Sequence, residues 1–487
     1  MKGKGSIDAV FINPLPGGEG LNEATVAPPL GLAYLAAVLE KQGYSPSIID
    51  ANALRRDSAR VIAAIPKTVR LIGFYINSFS YNSVREMAVL CRKQFPEAAV
   101  ILGGPLASSL PRELLADFPC HGVIRGEGEV SIGRIMDNLA RGAPPFDRNV
   151  PNAVFRDAHG GDTVMNPMVR IADLDGIPFP AYHLLPPLSV YKTRARKLPA
   201  ASIVTSRGCP HQCIFCSKDV FQRQITFRGA PNVLAEVDYL VSSYGVRQID
   251  ILDDNFSQKR SRVEEILDGL IERDYDLALN LQLGIRTENV DEPLLIKMKK
   301  AGVYKLAFGI ESADPRVLRN CRKNLDLAKA ESVIRAAKRL GFVVYGFFII
   351  GLPGEDEQAF HATLAFARRM NFDIANFCMA MPFVGTELYR MVEKEGRFLV
   401  DMRHNLDLGF YGGKVFYEYG EMKAADVLRR YQLAYRNFYS TGKKLKMIFG
   451  IRTWPELRWH IEAACSVVRG TMRSRRARVA SGAVPAP

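Results

Sequence analysis

No uninterrupted apolar run in the 487 residues approaches the roughly 18 needed to span a bilayer. The opening stretch MKGKGSIDAVFINP lacks the apolar core of a secretory leader. Both absences make cytoplasmic placement the expectation. Tryptophan is scarce, at 2 residues, and histidine numbers only 7. Cysteine is less scarce but mostly solitary: Cys91, Cys120, Cys321, Cys378 and Cys465 stand singly along the chain. That excludes a disulfide framework and fits a reducing compartment. Nor does any tandem repeat stand out. Hydrophobic content of 48% and charged content of 24% are those of a globular protein, and the length predicts about three domains.

The other three cysteines are packed together. Cys209, Cys213 and Cys216 lie in RGCPHQCIFC, with spacing C-x3-C-x2-C. Three thiolates on one loop hold three irons of a [4Fe–4S] cube and leave the fourth iron without a protein ligand. An open metal position is where a small molecule binds and reacts. Two other readings of the same thiols stand beside this one. They are buried structural cysteines, or a zinc site to which His211 contributes.

The chain around this loop reads as α/β. Through residue 145, short apolar runs at 7–13, 46–50, 70–76, 98–102 and 121–125 alternate with helical segments such as 30–42. That alternation predicts a Rossmann-like (flavodoxin-like) parallel sheet, with ligands at the C-terminal strand ends. Asn13 with the following Pro and Gly residues, Gly103-Gly104, and Gly126-Glu127-Gly128-Glu129 fall in loops after strands, where glycine lets backbone approach a bulky ligand. Residues 146–195, rich in Pro, Asp and Gly, read as a linker. A second series follows, with strands near 201–206, 247–252, 278–285, 304–310, 342–350 and 372–379. Helices are expected near 229–244, 260–273, 291–301, 326–340 and 355–370. Six β-α units predict a partial (β/α)6 TIM-type barrel over 196–395, open at one side. Residues 396–487 read as a helical C-terminal region with a basic tail.

The cysteine loop follows the first strand of the second series and so sits at the barrel mouth. Asp254, Arg286 and Glu311 lie at the ends of later strands, as does Gly351. A zwitterionic cofactor on the open iron needs a carboxylate for its amino group and a cation for its carboxylate. Asp254, Glu311 and Arg286 have those chemical types, although helix capping by Asp254 or Glu311 is the plainer alternative.

The run C-x3-C-x2-C with Phe215 before its last cysteine resembles the radical S-adenosylmethionine (SAM) superfamily. GIESADPRVL (309–318), GFFIIGLPGED (346–356) and PFVGTELY (382–389) are similar to that family as well. DDNF (253–256) resembles its cobalamin-associated branch. PPLGLAYLAAVLEKQGY (28–44), the GGP turn and GEGE resemble the vitamin B12-binding domain in front of that branch. The resemblance spans roughly residues 7–390.

It implies that Cys209, Cys213 and Cys216 hold a [4Fe–4S] cluster whose open iron is chelated by SAM. It places Phe215 near the adenine, and Asp254, Arg286, Glu311 and Ser312 around SAM. One electron from the cluster would then split SAM into methionine and a 5′-deoxyadenosyl radical, which takes hydrogen from an unactivated carbon; the protein orients these cofactors. The expected activity is a cobalamin-dependent C-methylation of a small molecule or lipid, with oxidative cyclisation or ring rearrangement as the alternative. A flavodoxin or ferredoxin is the expected electron donor.

One departure from the wider cobalamin pattern is plain. None of His121, His159, His183, His211, His361, His404 and His460 lies in a D-x-H-x-x-G motif. A cobalamin held here is therefore expected to lack a histidine on its lower face.

The charge of +14 is uneven. Residues 441–487 carry ten Lys and Arg against Glu456 and Glu462, and both tryptophans, Trp454 and Trp459. This tail suits a packed helical region with solvated charge. It also suits peripheral contact with an anionic membrane from the inner face. Nucleic acid is not an expected partner.

Overall fold

The computed structural model describes residues 7–16, 26–157, 161–191, 195–403, 414–462 and 465. Seven strands form the first sheet: β1 (Ala9–Asn13), β2 (Pro46–Asp50), β3 (Leu71–Tyr75), β4 (Ala99–Gly103), β5 (Gly122–Ile124), β6 (Ala153–Arg156) and β7 (Thr163–Met165). Their order is β2-β1-β3-β4-β5-β6-β7. The first five run parallel. Alternate side chains feed two cores. Val10, Ile12, Ile72, Phe74, Val100 and Leu102 pack on one face, and Ala9, Phe11, Leu71 and Ile101 on the other. Burial on both faces is why these strands read as unbroken apolar runs. Because β1 lies between β2 and β3, the chain leaves it in both directions, and a crevice opens at the C-terminal strand ends.

The stretch expected as a linker contributes more than a connection. β6 and β7 pair antiparallel onto β5 and occupy its otherwise open edge. Strands of four and three residues among Pro, Asp and Gly are too short to show as periodicity.

The second sheet contains β8 (Ala200–Ile203), β11 (Gln248–Ile251), β12 (Ala278–Ile285), β13 (Val303–Glu311), β14 (Val343–Ile350) and β15 (Ile374–Met379). All six are parallel, in the order β15-β14-β13-β12-β11-β8. Between β8 and β11, β9 (Ser206–Arg207) and β10 (Thr226–Phe227) form a small antiparallel pair. The outer face, with Leu279, Leu306, Phe308, Val344 and Phe348, is buried under the helices. Asp291, Asp314, Asp326 and Asp356 cap the helices that follow them, accepting first-turn amides. Each such cap stabilises its helix by about 1 kcal/mol.

The interior is polar at its floor. Ser202, Asp250, Asn280 and Lys305 stand in register on four adjacent strands, all buried. Asn280 Nδ2 donates to Asp250 Oδ1 at 2.9 Å.

β15 is an edge strand, and the C-terminal region satisfies it. The helix Ala424–Phe438 packs there. Tyr435 Oη donates to the Phe377 carbonyl at 3.1 Å, and Tyr439 Oη donates to the Ala375 carbonyl at 2.8 Å. Tyr439 Oη also accepts the Ala375 amide at 3.2 Å. The region after the barrel is not helical throughout: β16 (Gly396–Phe398) and β17 (Tyr417–Tyr419) form a hairpin before that helix. Within the basic tail, Arg469, Arg473, Arg475, Arg476 and Arg478 lie outside the described residues. No helix among the described residues is long and apolar enough to cross a membrane.

Candidate active site between the sheet and the barrel mouth

The loop after β8 is fixed before its cysteines begin. Asp253 is buried and accepts the Thr205 amide at 2.6 Å and the Ser206 hydroxyl at 2.6 Å. The next carboxylate, Asp254, accepts the Gly208 amide at 2.9 Å. Gly208 has φ +88°, and a Cβ there would meet the Gln224 carbonyl oxygen at 2.0 Å, so only glycine fits. Burial raises the Asp254 pKa, with the Gly208 amide opposing it.

Farther along, Ile214 anchors the loop. It is buried, donates its amide to the Cys321 carbonyl at 3.1 Å, and its own carbonyl accepts the Leu388 amide at 3.0 Å. Cys209 and Cys213 are half-buried and Cys216 is exposed. Lys218 lies close enough to all three thiols to feel their charge. Burial pulls its pKa down, but Cys216, Cys209 and Cys213 outweigh that and raise it.

Three thiols beside one ammonium fit a thiolate-held cluster, whose net negative charge the ammonium offsets. Among the described residues no three His, Cys, Asp or Glu side chains gather tightly enough to hold one ion. A cube asks for a different arrangement, with one thiolate on each of three irons.

A cleft with an empty volume of about 1290 Å³, its solvent-open part included, runs between the C-terminal edge of the first sheet and the barrel mouth. Gly103, Gly104, Gly126 and Gly128 form its wall on one side, and Val204, Ser206, Phe221, Leu252 and Asp254 face them from the other. At Gly104, φ is +118° and a Cβ would lie 2.7 Å from the Ile76 carbonyl oxygen. The wall here is backbone at the glycines with Tyr75, Leu102 and Ile124 beside them, an apolar surface suited to a broad flat ligand such as a corrin ring. No histidine lines it among the described residues.

Glu127 and Glu129 also line this cleft, but their carboxylates are engaged. Glu127 accepts Arg207 Nη1 at 2.9 Å, Arg170 Nε at 2.9 Å and the Ile171 amide at 2.9 Å. Glu129 accepts Arg207 Nη2 at 2.8 Å. The Arg207 guanidinium lies 4.8 Å from the centre of the Tyr34 ring. Burial works against its charge, yet Glu129 and Glu127 outweigh that and hold its pKa above the ordinary guanidinium value. One arginine thus ties the glycine turn after β5 to the residue before Gly208-Cys209.

The remaining sequence-predicted residues lie around this centre rather than in the cleft wall. Asn13 Nδ2 donates to Asp50 Oδ1 at 2.8 Å, joining β1 to β2. Phe215 is half-buried against the first sheet's core. The Arg286 guanidinium donates to Glu288 at 2.5 Å and to the Asn324 carbonyl at 2.6 Å. His211, whose pKa is lowered by burial and then by the Arg286 charge, is its neighbour on the cysteine loop.

Glu311 has φ +65° at a register shift in β13 and accepts Lys323 Nζ at 3.0 Å. A non-glycine residue in that conformation carries strain of the kind found at functional sites. Ser312 is buried; its Oγ accepts the Asp314 amide at 3.1 Å and lies 3.2 Å from Thr363 Oγ1. Gly351 donates its amide to Glu355 Oε1 at 2.9 Å and accepts Tyr417 Oη at 2.6 Å. Burial pushes the Glu355 carboxyl up to about 7, against the Gly351 amide and Arg430. Sequence reasoning missed Arg207, Tyr34, Lys218, Val220 and Phe221. The only signal for Arg207 was its place next to the cysteine motif.

Comparison with known proteins places this geometry. The radical SAM superfamily model matches residues 203–367, and the B12 binding domain model matches residues 21–135. An uncharacterized methyltransferase of Pyrococcus horikoshii is 30% identical over 372 residues, covering 75% of this chain and 78% of the relative. Cytidylyl-2-hydroxyethylphosphonate methyltransferase of Streptomyces wedmorensis is 30% identical over 419 residues, covering 76% and 78%. Among solved structures, the radical S-adenosylmethionine methyltransferase TsrM of Kitasatospora setae, with tryptophan substrate and a SAM analog bound, has a similar fold. Its TM-score is 0.69 at 17% identity, covering 89% of each chain.

Two outcomes follow from the geometry. Arg207→Ala takes from Glu129 its cation and from buried Glu127 one of two, and should cost about 3–5 kcal/mol in denaturant unfolding, whereas loss of a surface ion pair costs under about 1. For Glu355, the folded carboxyl keeps its proton to about 7 while the ordinary value is 4.5. Over that window the folded state binds more protons, so stability should fall as pH rises. Glu355→Gln should flatten that part of the stability–pH curve; an unchanged slope contradicts the assignment.

Proposed function

The chain belongs to the radical SAM superfamily and carries a B12-binding domain ahead of its barrel; from that premise we propose that it is a cobalamin-dependent C-methyltransferase acting on an unactivated carbon of a small molecule. One observation carries this reading: Asp254 of the barrel mouth and the glycine wall of the first sheet face each other across a single cleft. When bound, the cluster and SAM supply a 5′-deoxyadenosyl radical, and cobalamin supplies the methyl group.

The chain's own residues hold and orient these groups. Cys209, Cys213 and Cys216 ligate the cluster. Asp254 receives the amino group of SAM and Arg286 its carboxylate, while Phe215, Glu311, Ser312 and Gly351 support that site from outside the cleft wall. Asn13, Gly103, Gly104, Gly126 and Gly128 shape the cobalamin side, and Glu127 and Glu129 fix it through Arg207. The apolar surfaces of Phe221, Val204 and Leu252 exclude water from the space between the two cofactors. We assign residues 1–145, with β6 and β7 of the following segment added to their sheet, to the cobalamin domain, 196–395 to the barrel, and 396–487 to the C-terminal region. The proposed partners are a one-electron donor of the flavodoxin or ferredoxin kind and, for peripheral contact through the basic C-terminal segment, an anionic membrane surface.

Anaerobically purified protein should contain about four irons and a single cobalt per chain. On reduction it should convert SAM to 5′-deoxyadenosine and pass labelled methyl from SAM to cobalamin. The Cys209, Cys213 and Cys216→Ala triple variant should do no SAM cleavage. Bound zinc in place of iron, or SAM cleavage by the triple variant, contradicts the proposal. A product that is cyclised without gaining labelled methyl identifies a cyclase instead.

A further inference from the structure

The barrel has a second cleft at its other end. It opens at the N-terminal ends of the strands, with an empty volume of about 1440 Å³. Tyr304 and Lys305 of β13 and Val343 of β14 form its floor, and the helix Thr441–Phe449 with residues 450–460 covers it. Cations dominate its lining: Arg196, Lys305, Lys338, Lys443 and Arg452 against Asp373 and Glu456.

Both acids are already engaged. Asp373 lies 3.3 Å from Lys338 and accepts the Val344 amide at 2.8 Å. Glu456 lies 3.4 Å from Arg196 and accepts the Arg452 amide at 3.0 Å. Nearby Lys299 has its pKa lowered by burial, then by the charges of Arg196 and Arg452. Like charges crowd here, and an anion arriving from outside would relieve them.

The cover over this cleft is also apolar where it meets solvent. Phe449 is 84% exposed and Trp454 71%, and Leu445 and Ile461 are 50% and 52% exposed. Leu445 and Phe449 are one turn apart on one helix face. Trp454 and Ile461 share a face of the helix 454–462 with Arg458 between them. Lys444, Arg452 and Arg458 are exposed beside them, Arg458 paired with Glu462 at 2.9 Å.

We propose that this end of the barrel docks on an anionic lipid bilayer, which identifies the membrane contact called for in the proposed function. Phe449, Trp454, Leu445 and Ile461 enter the headgroup–acyl boundary, and Lys444 and Arg452 meet lipid phosphates. Aromatic and aliphatic side chains flanked by Lys and Arg, with the neighbouring acids already paired, suit that boundary. Docked this way, the cluster mouth faces away from the lipid. The bilayer is then an anchor and not the route by which substrate enters the cleft.

Co-sedimentation of the full chain tests this, with phosphatidylcholine vesicles and with vesicles containing about one-third phosphatidylglycerol. The protein should sediment with the anionic vesicles alone, and less so as salt rises. The Phe449→Ala/Trp454→Ala variant should bind them at least about tenfold more weakly. A Lys444→Glu/Arg452→Glu variant should behave likewise. Both variants should cleave SAM in solution like the parent, which separates failure of docking from failure of the proposed chemistry. Absence of binding, equal binding to neutral vesicles, or parent-like binding by both variants overturns the proposal. So does a dimer in light scattering that the Phe449→Ala/Trp454→Ala variant dissolves.

Discussion

The Arg207 clasp is the contact on which the active-site geometry depends. Its guanidinium is buried, and it reaches across the join between two sheets to Glu127 and Glu129. A buried ion pair adds little net stability but penalises any arrangement that separates its members. The energetic consequence is positional. The turn that carries Gly126 and Gly128 cannot move relative to the loop that carries Cys209 without stranding charge in a low-dielectric space. Arg170 and the Ile171 amide close the same network from the segment that follows β7. That segment is therefore a third strut of the join as well as a connection.

The two halves are otherwise ordinary α/β constructions, each opening at the C-terminal ends of its strands. Their combination puts the two openings face to face. Each half alone would present a shallow surface; together they line one cleft. In the proposed reading, the glycine-bearing wall on one side takes a broad planar ligand, and Asp254 on the other, hydrogen-bonded to Gly208 next to the cysteine loop, takes the amino group of SAM. Tyr435 and Tyr439 occupy the barrel's unpaired edge, so the opening that serves the chemistry is at the strand ends.

Much of this architecture was legible because both sheets are buried on two faces or alternate strictly. β14, read as 342–350, spans Val343–Ile350, and β2 coincides with the expected 46–50. The three cysteines were legible because they are close in sequence. What escaped was long-range or local in a way composition hides. β6, β7, β16 and β17 are only three or four residues long. The engagement of Glu127 and Glu129 by Arg207 escaped because that cation lies about eighty positions downstream. The positive φ of Glu311 and the turn of Ser312 toward Thr363 are backbone facts that residue type does not announce. Likewise, the polar rung Ser202–Asp250–Asn280–Lys305 takes shape only when four strands come into register.

The central claim is that the cluster and the cobalamin share one cleft. Electron paramagnetic resonance of the anaerobic protein, with the cluster reduced and cobalt held as Co(II), tests it most directly. Two paramagnets in one cleft should broaden each other's signals and speed each other's relaxation. A spectrum equal to the sum of two independent centres would contradict the account.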